Sequence, residues 1–112
     1  MRIDGRALAV YILKGLEKKN ISAHLAIILI GDDPASIAYV RQKILKAEKV
    51  GIKTTLLNQE SGIKNQELSE TIKQLNNDNN IHGIIVQRPL PPHIDSGLVD
   101  RLIDPKKDVD AF

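Results

Sequence analysis

Apolar residues along the chain fall into runs of two alternating kinds. Ala9, Ile12, Leu13 and Leu16 recur at i, i+3, i+4 and i+7, the stripe of an amphipathic helix. Leu25-Ala26-Ile27-Ile28-Leu29-Ile30 is continuously apolar, as a strand covered on both faces of a parallel sheet must be. Gly31-Asp32-Asp33-Pro34 breaks that run and opens a helix, with Asp33 as N-cap and Pro34 at its first position. This helix is expected to reach about Val50, with Gly51 as its stop. A second strand is expected over Ile52–Leu57, where β-branched residues gather. A further helix carries Leu68, Ile72 and Leu75 on one stripe and dissolves into Asn76-Asn77-Asp78-Asn79-Asn80. Gly83–Val86 reads as a third strand, leading into the stiff segment Arg88-Pro89-Leu90-Pro91-Pro92. A short last helix is expected from Asp95 to Ile103, with Leu98, Val99, Leu102 and Ile103 inward.

Strands and helices joined by short connections predict right-handed βαβ units. The expected fold is a three-layer α/β/α sandwich with a small parallel sheet, one domain over residues 1–112. Ligands of such sheets gather beyond the carboxyl ends of the strands. Two places qualify: the Gly31–Pro34 turn with its helix, and the segment beginning at Gln87.

Composition narrows the classes. At 112 residues and 42% apolar, the chain can build one core and is too apolar for disorder. No apolar run approaches the roughly 18–20 residues of a membrane span. Met1-Arg2-Ile3-Asp4-Gly5 lacks a signal core, and cysteine is absent, so a cytoplasmic protein with no membrane partner is expected. Sixteen basic and 14 acidic residues are interspersed, for a net charge of +2. Basic residues cluster only as pairs such as Lys18-Lys19 and Lys106-Lys107, and the aromatics are Tyr11, Tyr39 and Phe112, which argues against a nucleic-acid partner.

On the helix after the first strand, Ile37, Val40, Ile44 and Ala47 form the core stripe. Ser36, Tyr39 and Lys43 form a second stripe roughly 100° around, near the carboxyl edge of the sheet. A solvated helix face shows the same spacing. A lysine serves as general base only when its pKa falls well below about 10.4, which burial beside a ligand promotes. Gln87 is a candidate neutral partner that orients the amine without a counter-charge, or else a polar residue ending a strand. Asp108 and Asp110 alternate in direction if extended, and one of them could accept a heterocycle's N–H groups; a charged loop reads the same.

His24, His82 and His93 show no metal-ligand spacing, and no G-x-S-x-G elbow is present, so no metal site is expected. The nearest glycines, Gly5 and Gly15, are ten positions apart, which excludes a dinucleotide fingerprint or a Walker loop. The acidic pair Asp32-Asp33 invites comparison with a magnesium-binding receiver domain. That reading fails where a phosphoacceptor aspartate is needed, because Gln87 stands there.

Three stretches carry a family resemblance: Gly31-Asp32-Asp33-Pro34-Ala35-Ser36 through Tyr39-Val40-Arg41-Gln42-Lys43 to Val50-Gly51-Ile52; His82–Ile94, containing Val86-Gln87-Arg88-Pro89-Leu90-Pro91-Pro92; and Ile103–Asp110. Together they resemble the bifunctional methylenetetrahydrofolate dehydrogenase/cyclohydrolase family, specifically its N-terminal catalytic domain. The resemblance implies that Lys43 is the general base of the cyclohydrolase step, Gln87 its tuning partner, and Tyr39 both a folate-stacking and a catalytic residue. It further implies substrate contacts from Ser36, Gln87, Pro89 and Leu90, with Asp110 anchoring the pterin. It also implies oxidation of 5,10-methylenetetrahydrofolate with NADP (NAD in some members) and hydrolysis of the product to 10-formyltetrahydrofolate. The nucleotide would bind a Rossmann-type domain beyond Phe112, not this chain, so the isolated chain is expected not to support the dehydrogenase step. The full-length protein is expected to be a homodimer.

Two positions depart from the family pattern. Arg88 stands where leucine is usual, and either points to solvent or alters the folate-facing wall. Ala111 stands where glycine is usual, at a cost of about 1 kcal/mol if that position needs positive φ.

Overall fold

The computed structural model describes residues 23–109. The helix expected around Ala9–Leu16, and Asp110 and Ala111 at the other end, lie outside the described residues. Within them the order is β1 (His24–Ile30), α1 (Pro34–Lys49), β2 (Lys53–Gln59), α2 (Asn65–Asn77), β3 (Gly83–Val86) and α3 (Ser96–Leu102). The strands form a parallel sheet in the order β2-β1-β3, with Ile27 opposite both Leu56 and Ile85.

β1 is central, which explains its unbroken apolar run. Leu25, Ile27 and Leu29 point to one face, packing with Ile85 on the sheet and with Val40 and Ala47 of α1. Ala26, Ile28 and Ile30 point to the other, where Leu68 and Ile72 of α2 and Val99 of α3 close the layer. Helices therefore cover both faces, as the sequence predicts. Each fully buried Ile or Leu contributes about 1.5–3 kcal/mol from removal of apolar surface from water. No helix among the described residues is long and apolar enough to cross a membrane.

α1 carries its own punctuation. The Asp33 carboxylate accepts from the Ser36 amide, and Pro34 follows in the first turn. At the other end Gly51 has φ +82°. Its N–H donates to Glu48 O and that of Ile52 to Ala47 O, closing a Schellman turn. That turn claims Ile52, so β2 begins one residue later than predicted. It also runs two residues further, to Gln59, since Asn58 and Gln59 pair in register with Leu29 and Ile30. Hydrophobicity ends at Leu57, but backbone pairing is indifferent to it.

Asparagines organise the connections. The Asn65 side chain accepts from Asp95 N and donates to His93 O, tying the start of α2 to the entry of α3. Asp95 then caps α3 by accepting from Leu98 N. Asn76 donates to Leu102 O and accepts from Asp104 N, fixing the exit of α3. Beyond it, Asp104-Pro105-Lys106-Lys107 forms a turn closed by Lys107 N to Asp104 O, and Asp108 then bridges in parallel to Ile84. Val109 is buried beside Gly83, where an added Cβ would lie 3.2 Å from the Val109 methyls. The absent side chain at position 83 makes room for that valine.

Candidate functional site

The carboxyl end of β3 and the middle of α1 meet at one polar contact. The backbone N–H of Gln87 donates to Ile28 O, extending the β1–β3 ladder by one residue beyond Val86. Ile84 and Val86 pack on the α2/α3 face and Ile85 on the α1 face, so alternation carries the Gln87 side chain toward α1. There it is 4% exposed, and its Oε1 accepts from Lys43 Nζ at 2.9 Å. Its Nε2 donates to Arg88 O, also at 2.9 Å. These two partners fix the sense of the amide: the oxygen faces the lysine and the NH2 faces a carbonyl.

Of the other expected site residues, Tyr39 lies one helical turn before Lys43 and is 59% exposed, presenting its ring outside the core. Ser36 is buried, and its hydroxyl donates to the Asp33 carboxylate at 3.0 Å, so it completes the helix cap. Pro89 is exposed and follows a cis Arg88–Pro89 peptide bond. Leu90 is half-buried against the cluster beneath α2 and α3, on the opposite face of the sheet from Lys43. Asp110 falls outside the described residues.

Alternation also decides where Arg88 goes. Being next to Gln87, it faces the other way, and its guanidinium pairs with Asp100 of α3. The departure from leucine thus adds an ion pair on the α3 side and leaves the Lys43 face unaltered. Sequence reasoning missed the role of the Arg88 carbonyl, which a backbone atom cannot signal. It also missed His82, whose Nδ1 accepts from the His24 N–H at 3.0 Å. Burial, then the charges of His24 and Lys107, hold the His82 pKa below 6.5. Two open hollows, of about 620 Å³ near Gly31 and Ser61 and about 530 Å³ near His24 and Glu48, border neither Lys43 nor Gln87. Among the described residues no group of three or more His, Asp or Glu side chains could hold a metal ion.

The model of the family described as tetrahydrofolate dehydrogenase/cyclohydrolase, catalytic domain, matches residues 3–110. The chain belongs to this family. Among tetrahydrofolate dehydrogenase/cyclohydrolase relatives, the bifunctional protein FolD of Rickettsia rickettsii (strain Sheila Smith) is 49% identical over 118 residues, covering 98% of this chain and 41% of that protein. Of solved structures, the bifunctional FolD enzyme of Campylobacter jejuni is 40% identical with a TM-score of 0.79, over 94% of this chain and 40% of that one. The Trypanosoma brucei dehydrogenase-cyclohydrolase, solved with NADP cofactor and an inhibitor, is 32% identical with a TM-score of 0.76, over 96% of this chain and 39% of that one. The chain therefore spans about 41% of the length of the curated relatives it matches.

Proposed function

We propose that this chain is the folate-binding catalytic portion of an enzyme that oxidises 5,10-methylenetetrahydrofolate with NADP and hydrolyses the 5,10-methenyl product to 10-formyltetrahydrofolate. One observation carries the hydrolytic half of this reading: the Lys43 Nζ to Gln87 Oε1 contact at 2.9 Å, at the carboxyl edge of the sheet. The amide oxygen holds and orients the Lys43 amine without adding a negative charge that would keep it protonated, and once deprotonated the amine has a lone pair with which to take a proton. Water attacks the methenyl carbon while its proton passes to Lys43 Nζ. The resulting carbinolamine then opens its C–N5 bond, N5 gaining a proton, and the carbon remains on N10 as formyl. Tyr39, one turn away, offers a ring against which the folate stacks, and Asp110 accepts from the pterin N–H groups.

The helix N-terminus that follows β1 does not fit a nucleotide pyrophosphate. It is filled by the Asp33 carboxylate, an anion where a pyrophosphate would need donors. No glycine-rich turn takes its place. No step through the nucleotide is therefore assigned to this chain, and the homodimer expected of the full-length protein belongs to the same proposal. The test is hydrolysis of methenyltetrahydrofolate, read as loss of its absorbance with spontaneous hydrolysis subtracted. The chain should exceed the buffer rate and Lys43→Gln should not. A Lys43→Gln protein that hydrolyses as fast as the parent refutes the assignment, and NADP reduction by the chain alone refutes the exclusion of nucleotide.

A further inference from the structure

Lys107 is no part of the Lys43–Gln87 contact, yet its ammonium is committed. It donates to Leu75 O at 2.9 Å and to Asp78 O at 2.8 Å, at the carboxyl end of α2. The last turn of α2 contains no basic residue of its own. Leu75 O already accepts from Asp78 N–H and Asp78 O from Ile81 N–H, so Lys107 adds a charged second donor to each carbonyl. A cation there is favoured by the helix dipole and by charge-assisted hydrogen bonds. The backbone of the same residue is pinned from two sides: Lys107 O accepts from Ile84 N at 2.7 Å, and Lys107 N donates to Asp104 O at 2.7 Å. Asp108 then bridges Ile84 in parallel, and Val109 is buried next to Gly83. The chain at Val109 therefore runs alongside β3 in the direction of Gln87. The next residue in the sequence is Asp110.

We propose that Lys107 is a positioning residue: by bracing the α2 carboxyl end against β3, it sets the place from which the chain delivers Asp110 to the folate. The inference rests on the folate-anchoring role proposed for Asp110. It assigns a function to a lysine whose ammonium is spent on backbone carbonyls at the end of α2. Its neighbour Lys106 carries the same charge but is exposed, with a backbone rather than a side-chain contact to Asp104. Charge alone therefore separates from geometry by comparing the two lysines.

Two readings test the proposal on Lys107→Met, Lys107→Arg, Lys106→Met and Asp110→Asn, each checked for folding by circular dichroism. Amide exchange at Ile84, relative to Ile27, needs no ligand, and calorimetric titration with 5-formyltetrahydrofolate gives affinity. Lys107→Met should speed Ile84 exchange and weaken binding, each by about tenfold or more, the scale of losing charge-assisted hydrogen bonds. Lys107→Arg should restore much of both, and Lys106→Met should change neither. Unchanged Ile84 exchange in folded Lys107→Met, or faster exchange with unchanged affinity, overturns the proposal. Asp110→Asn binding as tightly as the parent instead removes the Asp110 role, and with it the positioning. A parent that binds no folate refutes the functional reading while the exchange result still decides the brace. If Lys107→Met does not fold, Lys107→Gln, which keeps a donor without the charge, takes its place with the same expectations.

Discussion

Replacing Gln87 by glutamate changes one atom's identity at the Lys43 contact and is expected to move the pH dependence of hydrolysis. The neutral acceptor at 2.9 Å from Nζ becomes a carboxylate. Two unit charges about 4 Å apart attract by about 4 kcal/mol at an effective dielectric near 20. At 1.36 kcal/mol per pH unit, that corresponds to about three units in favour of the protonated lysine. Position 87 is only 4% exposed, so desolvation of the new carboxylate cancels part of the gain. The net expectation is that the rising limb of the rate–pH profile moves alkaline by about one to three units. Neutral-pH turnover then falls roughly 10- to 1,000-fold and recovers at high pH. The two groups titrate as a coupled pair, so the limb reports the pair. The assay is methenyltetrahydrofolate absorbance at a series of pH values, with spontaneous hydrolysis subtracted at each. Gln87→Met is the control: it removes the acceptor without adding charge, so it lowers the plateau but does not move the limb upward. A Gln87→Glu profile that stays in place or moves to lower pH refutes the reasoning.

Two stability predictions follow from the scaffold. His82 has a depressed pKa, so below 6.5 the unfolded chain takes up a proton that the folded one resists. Stability from this group is complete above that pH and falls as the pH drops toward the folded value; His82→Gln should flatten the fall in urea midpoint between about pH 7.5 and 5 relative to the parent, and an equally steep fall contradicts it. Gly51→Ala tests the Schellman turn: at φ +82°, with nothing within 4 Å of an added Cβ, the cost is backbone strain alone. A loss of about 1 kcal/mol is expected in urea unfolding, and no loss would count against the left-handed assignment.

The fold was legible where one residue type answers to one physical demand. Leu25–Ile30 reads as a strand covered on both faces, and Asp33-Pro34 and Gly51 mark helix ends by chemistry that is local in sequence. Strand ends were less legible, because Asn58 and Gln59 join β2 through their backbones alone. At the site, helical spacing placed Tyr39 one turn from Lys43, and the end of a buried strand suggested Gln87 as the lysine's partner. The pairing of Lys43 with Gln87 spans 44 residues. Neither the Arg88 carbonyl that orients the amide nor the Lys107 contact to α2 has a signature in residue type, since both depend on backbone atoms brought close by the sheet. The direction of Arg88 was readable in principle: a neighbour of Gln87 in an extended segment must face the opposite layer.

The glutamine also has a kinematic consequence. Its amide spans from the carbonyl of its own successor to the Lys43 amino group on α1, and both ends are held at 2.9 Å. One side chain thus works as a fixed-length tie rod between helix and sheet. Sliding α1 along its axis by one residue, about 1.5 Å, must be taken up by the Lys43 stem or lengthen the tie, whereas a small rotation about the contact preserves it. Relative displacement of α1 and the sheet at this edge is therefore easiest as pivoting, with Gln87 as the pin. A side chain one methylene shorter, as in Gln87→Asn, cannot reach both ends and would turn the pin into a loose joint.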